Sequence, residues 1–113
     1  ADARGDRYPN LKKALSYINE NLHKPLQLSE VASFAQVSES HLSSNFKQKM
    51  GLSFVTYVHR LKIKEAKHLL EQGELVYKVS ERLGYESPSY FSKVFKKQEG
   101  VSPEQYQRQK TGS

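Results

Sequence analysis

The chain is 113 residues long, has no cysteine and carries a formal net charge of +6. That length suits one small domain, or two very small ones, without a deep active-site cavity. Disulfides, thiolate metal sites and a cysteine nucleophile are excluded. The basic excess favours a polyanionic partner, although a solvated basic surface fits the same count.

Ala1 to Arg7 is polar and aperiodic, so residues 1–8 read as an unstructured lead or the end of a linker, and the chain as a piece of a longer protein. Pro9 suits a first helical turn. Leu11, Ala14, Leu15, Ile18 and Leu22 form one apolar stripe, which predicts a helix from Pro9 to about Leu22, ended ahead of Pro25. Ser29 is placed to cap a short helix whose apolar residues are Val31, Ala32, Phe34 and Ala35. Gln36 and Val37 make a tight turn, Ser38 supplies another cap, and a helix over about Glu39 to Met50 buries Leu42 and Phe46 before Gly51 stops it. Short helix, tight turn and second helix form a helix-turn-helix unit, here without the frequent turn glycine.

Ser53 then caps the longest element, which runs to Gln72 and is closed by Gly73. Its buried face is expected at Phe54, Val55, Val58, Leu61, Ala66, Leu69 and Leu70. At the helical rise it spans about 30 Å, close to one turn of B-form DNA, so it can act as a spacer between like units. A second short helix covers Leu75 to Leu83, with Val76, Val79 and Leu83 inward and Gly84 and Tyr85 in the turn. Ser87 and Pro88 open the next helix as cap and first residue, with Phe91, Val94 and Phe95 buried up to Gly100. Ser102, Pro103 and Gln105 form a capping box that starts a last helix to about Gln109, and 111–113 reads as an unstructured tail.

The segments on either side of the spacer are versions of each other. With His41 to Tyr57 set above Tyr90 to Tyr106, Ser43 meets Ser92, Phe46 meets Phe95, Lys47 meets Lys96, Gly51 meets Gly100, Ser53 meets Ser102 and Tyr57 meets Tyr106. Val31 lies over Val79 once one extra residue is allowed in the second turn. Core, stop, cap and aromatic recur in one order, which marks an internal repeat. The expected organisation is therefore all-α, with a first helix-turn-helix unit over 9–52, a connecting helix over 53–73 and a second unit over 74–110.

Burial of Leu42 and Phe46 leaves Ser40, Ser43, Ser44 and Lys47 on the free face of the first unit's second helix. In the second unit the corresponding free face carries Ser89, Ser92, Lys93 and Lys96. Hydroxyls near a helix start, with lysines farther along, suit entry into a major groove, where they meet base edges or phosphate. Arg60, Lys64 and Lys67 lie along one side of the spacer; phosphate contact and a solvated charged face fit each of them equally. His23, His41, His59 and His68 show no metal-ligand spacing, and Tyr57, Tyr85 and Tyr106 read as core anchors.

The stretch GYESPSYFSKVFKKQEGVSPEQY, Gly84 to Tyr106, closely resembles the signature of the AraC/XylS family of bacterial transcription regulators, and VASFAQVSESHLSSNFKQKMG resembles its first helix-turn-helix. The resemblance runs from about Leu11 to Arg108. It implies a seven-helix, homeodomain-like domain with two recognition helices in successive major grooves of duplex DNA, and no cofactor. By position it places base contacts at Ser40, Ser43, Ser44 and Lys47 and at Pro88, Ser89, Tyr90, Ser92, Lys93 and Lys96. Backbone contacts fall at Ser29, His41, Lys49, Arg60, Lys62 and Lys97. RNA polymerase and an additional sensing, receiver or dimerisation domain are the protein partners it implies, in a cytoplasmic, nucleoid-associated setting away from membranes. A helical protein-interaction module without base readout is the rival reading. An enzyme is disfavoured, because no Asp lies past Arg7 and no Gly-rich phosphate loop is present.

Overall fold

The computed structural model describes residues 9–112, and among them the secondary structure is seven α-helices with no strand. These are α1 (Pro9–Glu20), α2 (Leu28–Ala35), α3 (Glu39–Met50), α4 (Phe54–Glu71), α5 (Val76–Arg82), α6 (Pro88–Glu99) and α7 (Pro103–Thr111). The expected lead over 1–8 lies outside the described residues. The chain divides into two compact units. One runs up to Asn21 and resumes over Leu26–Val58; the other takes Leu22–Pro25 and everything from His59. The division falls inside the helix expected to lie between the units.

The first unit packs Leu11, Ala14 and Ile18 of α1 with Val31, Ala32 and Ala35 of α2 and with Leu42 and Phe46 of α3. The first turn of α4 completes it, with Phe54 and Val58 buried and the Phe54 ring edge-on to Phe46 at 5.6 Å. Helix α1 stops two residues short of Leu22. The Asn21 amide turns back to the Ile18 carbonyl at 3.1 Å and its side chain takes the Tyr17 carbonyl at 2.8 Å, which satisfies the helix end locally. Ser29 does not cap α2; the helix begins two residues earlier than that cap would place it, after Gln27, with no side-chain cap. Phe34 is not in the core. It is 53% exposed, its ring 4.6 Å from that of Tyr17, whose hydroxyl donates to Glu30 at 2.5 Å. Val55 likewise points outward, 60% exposed, since the short arc of α4 facing this core is filled by Phe54 and Val58.

The second unit has its own core: Ile63, Ala66, Leu69 and Leu70 of α4 with Val79, Leu83, Phe91, Phe95 and Tyr106. Gln107 of α7 donates to the carbonyls of Leu70 and Glu74 at 2.9 and 2.7 Å, giving partners to one acceptor in the last turn of α4 and one in the connection that follows it. The Tyr106 hydroxyl donates to Glu71. Burial first, and the Glu71 hydrogen bond and charge second, push the phenol up to about 12. Helix α7 runs through Thr111 and ends on Gly112, so these two residues of the expected tail belong to the helix and its cap, and Ser113 lies outside the described residues.

The sequence repeat is also a repeat of geometry. Phe46 meets Tyr57 at 5.3 Å with the rings inclined 61°, and Phe95 meets Tyr106 at 5.5 Å and 67°. The turn inside each helix-turn-helix is closed by matching bonds: Gln36 N to Ser33 O and Val37 N to Ala32 O, then Gly84 N to Glu81 O and Tyr85 N to Ser80 O. Gln36 and Gly84 both take left-handed backbone, at φ 64° and 74°. Only the second requires glycine for space. A Cβ at Gly84 would lie 2.4 Å from backbone atoms of Lys24, in the segment Leu22–Pro25 that belongs to the same unit.

Candidate nucleic-acid interface

Helix α3 starts where the Ser38 hydroxyl accepts from the amide of His41 at 3.0 Å, and it ends where Gly51 turns left-handed and donates to the Lys47 carbonyl. Helix α6 repeats this with Ser87 accepting from Tyr90 N at 3.1 Å, Pro88 in the first turn, and Gly100 donating to Lys96. Each cap serves one otherwise unpaired amide and fixes where the first turn begins. The buried Leu42 and Phe46, and Phe91 and Phe95, then set which side faces away from each core.

On α3, Ser40, Ser43, Ser44 and Lys47 are all exposed. They line one open concavity of about 720 Å³ together with Glu39, between Leu28 and Ser53. On α6, Pro88, Ser89, Lys93 and Lys96 are exposed, Ser92 is half-buried, and Tyr90 is 47% exposed. Of the expected backbone contacts, Ser29, His41, Lys49, Arg60 and Lys97 are exposed, with His41 Nε2 3.2 Å from the Asn45 side-chain nitrogen. Lys67, one of the spacer cations, is paired with Glu99 at 3.1 Å and lies over the Tyr106 ring.

Lys62 corrects the expected set. It is 3% exposed, and its Nζ donates to the carbonyls of Lys24 at 2.6 Å and Leu83 at 2.5 Å, with the Tyr85 ring 5.5 Å away. Its ammonium is spent inside the second unit, on the turn that precedes α6. Burial lowers its pKa to about 8, so it keeps its proton at neutral pH. Nothing in the local sequence distinguishes this lysine from its exposed neighbour Lys64; only the fold brings Lys24 and Leu83 to it.

Two further residues join the picture. Glu39 stands where the repeat places Pro88, so the alignment of the two helices could have singled it out. His59 carried no such signal. Its Nδ1 is 2.8 Å from the Tyr85 hydroxyl, its ring stacks on Tyr85 at 5.7 Å, and Tyr90 meets it edge-on at 6.1 Å. Burial raises the Tyr85 phenol well above its ordinary range, so Tyr85 keeps its proton and donates it to Nδ1 of a neutral His59. Burial, then the nearby Lys62 charge, holds the His59 pKa below 6.5. Between that lowered value and about 6.5 the unfolded chain binds a proton that the folded one does not, so stability falls as pH drops through this window and is complete above it. Thermal melts from pH 7.5 to 5 are expected to show that loss in the parent chain and a smaller one in His59→Gln. Equal losses in both would remove His59 as the cause.

Two short-helix, turn, long-helix units, each presenting a capped polar face, define a double helix-turn-helix DNA-binding domain. Comparison with known proteins agrees. A family described as a helix-turn-helix domain matches residues 31–109. The C-terminal domain of AraT, a response regulator from Geobacillus stearothermophilus, superposes with a TM-score of 0.86 at 38% identity, covering 90% of this chain and 86% of that one. The DNA-binding domain of AdpA, solved with a target DNA, superposes at 0.83 with 25% identity over 88% of this chain and 91% of its own. Regulatory protein PocR of Salmonella typhimurium is 35% identical over 100 residues, 88% of this chain but 33% of PocR. The chain belongs to the AraC family and is a DNA-binding domain of its transcription regulators, not an enzyme. It spans about a third to two fifths of the length of the first curated relatives it matches.

Proposed function

We propose that α3 and α6 are the two recognition helices and enter successive major grooves of a duplex operator. Base contacts are assigned to Ser40, Ser43, Ser44 and Lys47 on α3, and to Pro88, Ser89, Tyr90, Ser92, Lys93 and Lys96 on α6. Ser29, His41, Lys49, Arg60 and Lys97 meet the sugar-phosphate backbone. The observation that carries this reading is the duplicated, capped and exposed polar face. In a longer regulator the domain acts beside a sensing, receiver or dimerisation domain and with RNA polymerase, at the nucleoid; relatives described as response regulators support the first of these.

The two helices divide the work unequally. Serine hydroxyls both donate and accept and so discriminate bases weakly, whereas Lys93 reaches guanine acceptors and has Lys96 and Lys97 behind it. Selection of a random duplex pool is expected to enrich a bipartite site with half-sites about ten base pairs apart, and a salt slope of roughly five to eight phosphate contacts. On that site Lys93→Ala should cost about 1–3 kcal/mol relative to scrambled DNA, and Ser44→Ala under about 1 kcal/mol. A larger loss of specificity from Ser44→Ala would reverse the assignment.

A further inference from the structure

We infer that Glu39 is a specificity-determining residue of the first unit and selects a cytosine in the half-site of α3. The inference rests on α3 being a recognition helix. Glu39 is exposed, lines the same open concavity as Ser40, Ser43, Ser44 and Lys47, and bonds to no other described side chain. It stands four residues before Ser43, so the two form one row beside the row of Ser40, Ser44 and Lys47.

Chemistry then narrows its target. A carboxylate is repelled by phosphate, so it has no favourable place on the backbone of the duplex it faces. In the major groove the only donors are the amino groups of cytosine and adenine. On adenine the amino group stands beside the N7 acceptor, which repels a carboxylate, whereas cytosine offers its N4 amino group with no acceptor of its own beside it. Every other reader on this face either donates or is ambiguous: three hydroxyls and one ammonium. Glu39 is the one acceptor-only group among them, and so the one whose hydrogen bond has a fixed direction. The residue at the corresponding place on α6 is Pro88, which cannot do this.

The test compares the parent chain with Glu39→Gln and Glu39→Ala on a library in which every base pair of the selected site is varied in turn. The parent should prefer cytosine about tenfold at one position of the α3 half. Glu39→Ala should flatten that position alone. Glu39→Gln should move its preference to adenine, because an amide pairs with the N6 amino group and N7 together. Removing a negative charge should also tighten binding to all sequences in both variants, and that uniform gain is separate from the change at one position. Base preferences identical in all three proteins would overturn the inference, whether or not the overall affinity rises. A lowered melting temperature with unchanged preferences would overturn it too, reducing Glu39 to an acid favourable at a helix start. The parent reading fails differently: the α3 half would then show no preference in any protein while the α6 half kept its own.

Discussion

Gly84→Ala is expected to destabilise the second unit by at least about 3 kcal/mol, while Gly100→Ala costs about 1 kcal/mol. Both glycines have left-handed backbone, φ 74° and 84°, so both substitutions carry the same conformational strain. They differ in what the new methyl group meets. At Gly100 nothing lies within 4 Å; at Gly84 the Cβ would stand 2.4 Å from Lys24 Cα and C and 2.7 Å from Pro25 N. Backbone cannot rotate aside as a flexible side chain does, so the segment Leu22–Pro25 must lift or the turn must open. Urea denaturation of the two variants reads the difference directly. Equal losses would mean that the segment yields freely and does not brace the turn.

Lys62→Ala should cost about 3–5 kcal/mol and Lys62→Met about 2 kcal/mol less than that. The ammonium serves two carbonyls, at the half-buried Lys24 and the buried Leu83, and removing it leaves both without this donor. Met restores the apolar stem, worth about 0.8 kcal/mol per buried methylene, and leaves only the bonds missing. Lys62→Met combined with Gly84→Ala should lose less than the two separate losses added together, since both act on the hold around Lys24. Strict additivity would show that the lysine and the glycine brace different things. A Lys62→Ala loss within 1 kcal/mol of the parent would return the residue to the surface set from which its burial removes it.

The starts of α3, α4, α6 and α7 were legible because their signals are local. Ser38, Ser53, Ser87 and Ser102 each accept from an amide three residues on, and Gly51, Gly73 and Gly100 all turn left-handed. The exposed faces of α3 and α6 were legible because a strong stripe of Leu and Phe leaves one side free. Ser29 shows that a local cap signal can mislead, and what failed on the buried faces depends on distant chain. Val55 has the composition of a core position, but its direction is fixed by which arc of α4 meets α3. Phe34 fits the α2 stripe and instead leans on Tyr17 of α1. Lys62 reads as one more cation on a basic helix until Lys24 and Leu83 arrive beside it. The cluster of His59, Tyr85 and Tyr90 could not be read from spacing, since His59 stands 26 residues from Tyr85 in the chain.

The repeat has a consequence for the DNA it reads. A helix-turn-helix protein that pairs with an identical copy meets an inverted repeat, and such a site looks the same from either end. On the reading proposed above, both readers lie in succession in one polypeptide and differ in chemistry: Ser40, Ser43 and Lys47 recur as Ser89, Ser92 and Lys96, but Ser44 stands against Lys93 and Glu39 against Pro88. A site selected by this pair has a left and a right. On the proposed reading, turning it around would turn the bound domain around, so the orientation of the operator, and not only its position, would decide which way any domain tethered to it faces along the DNA.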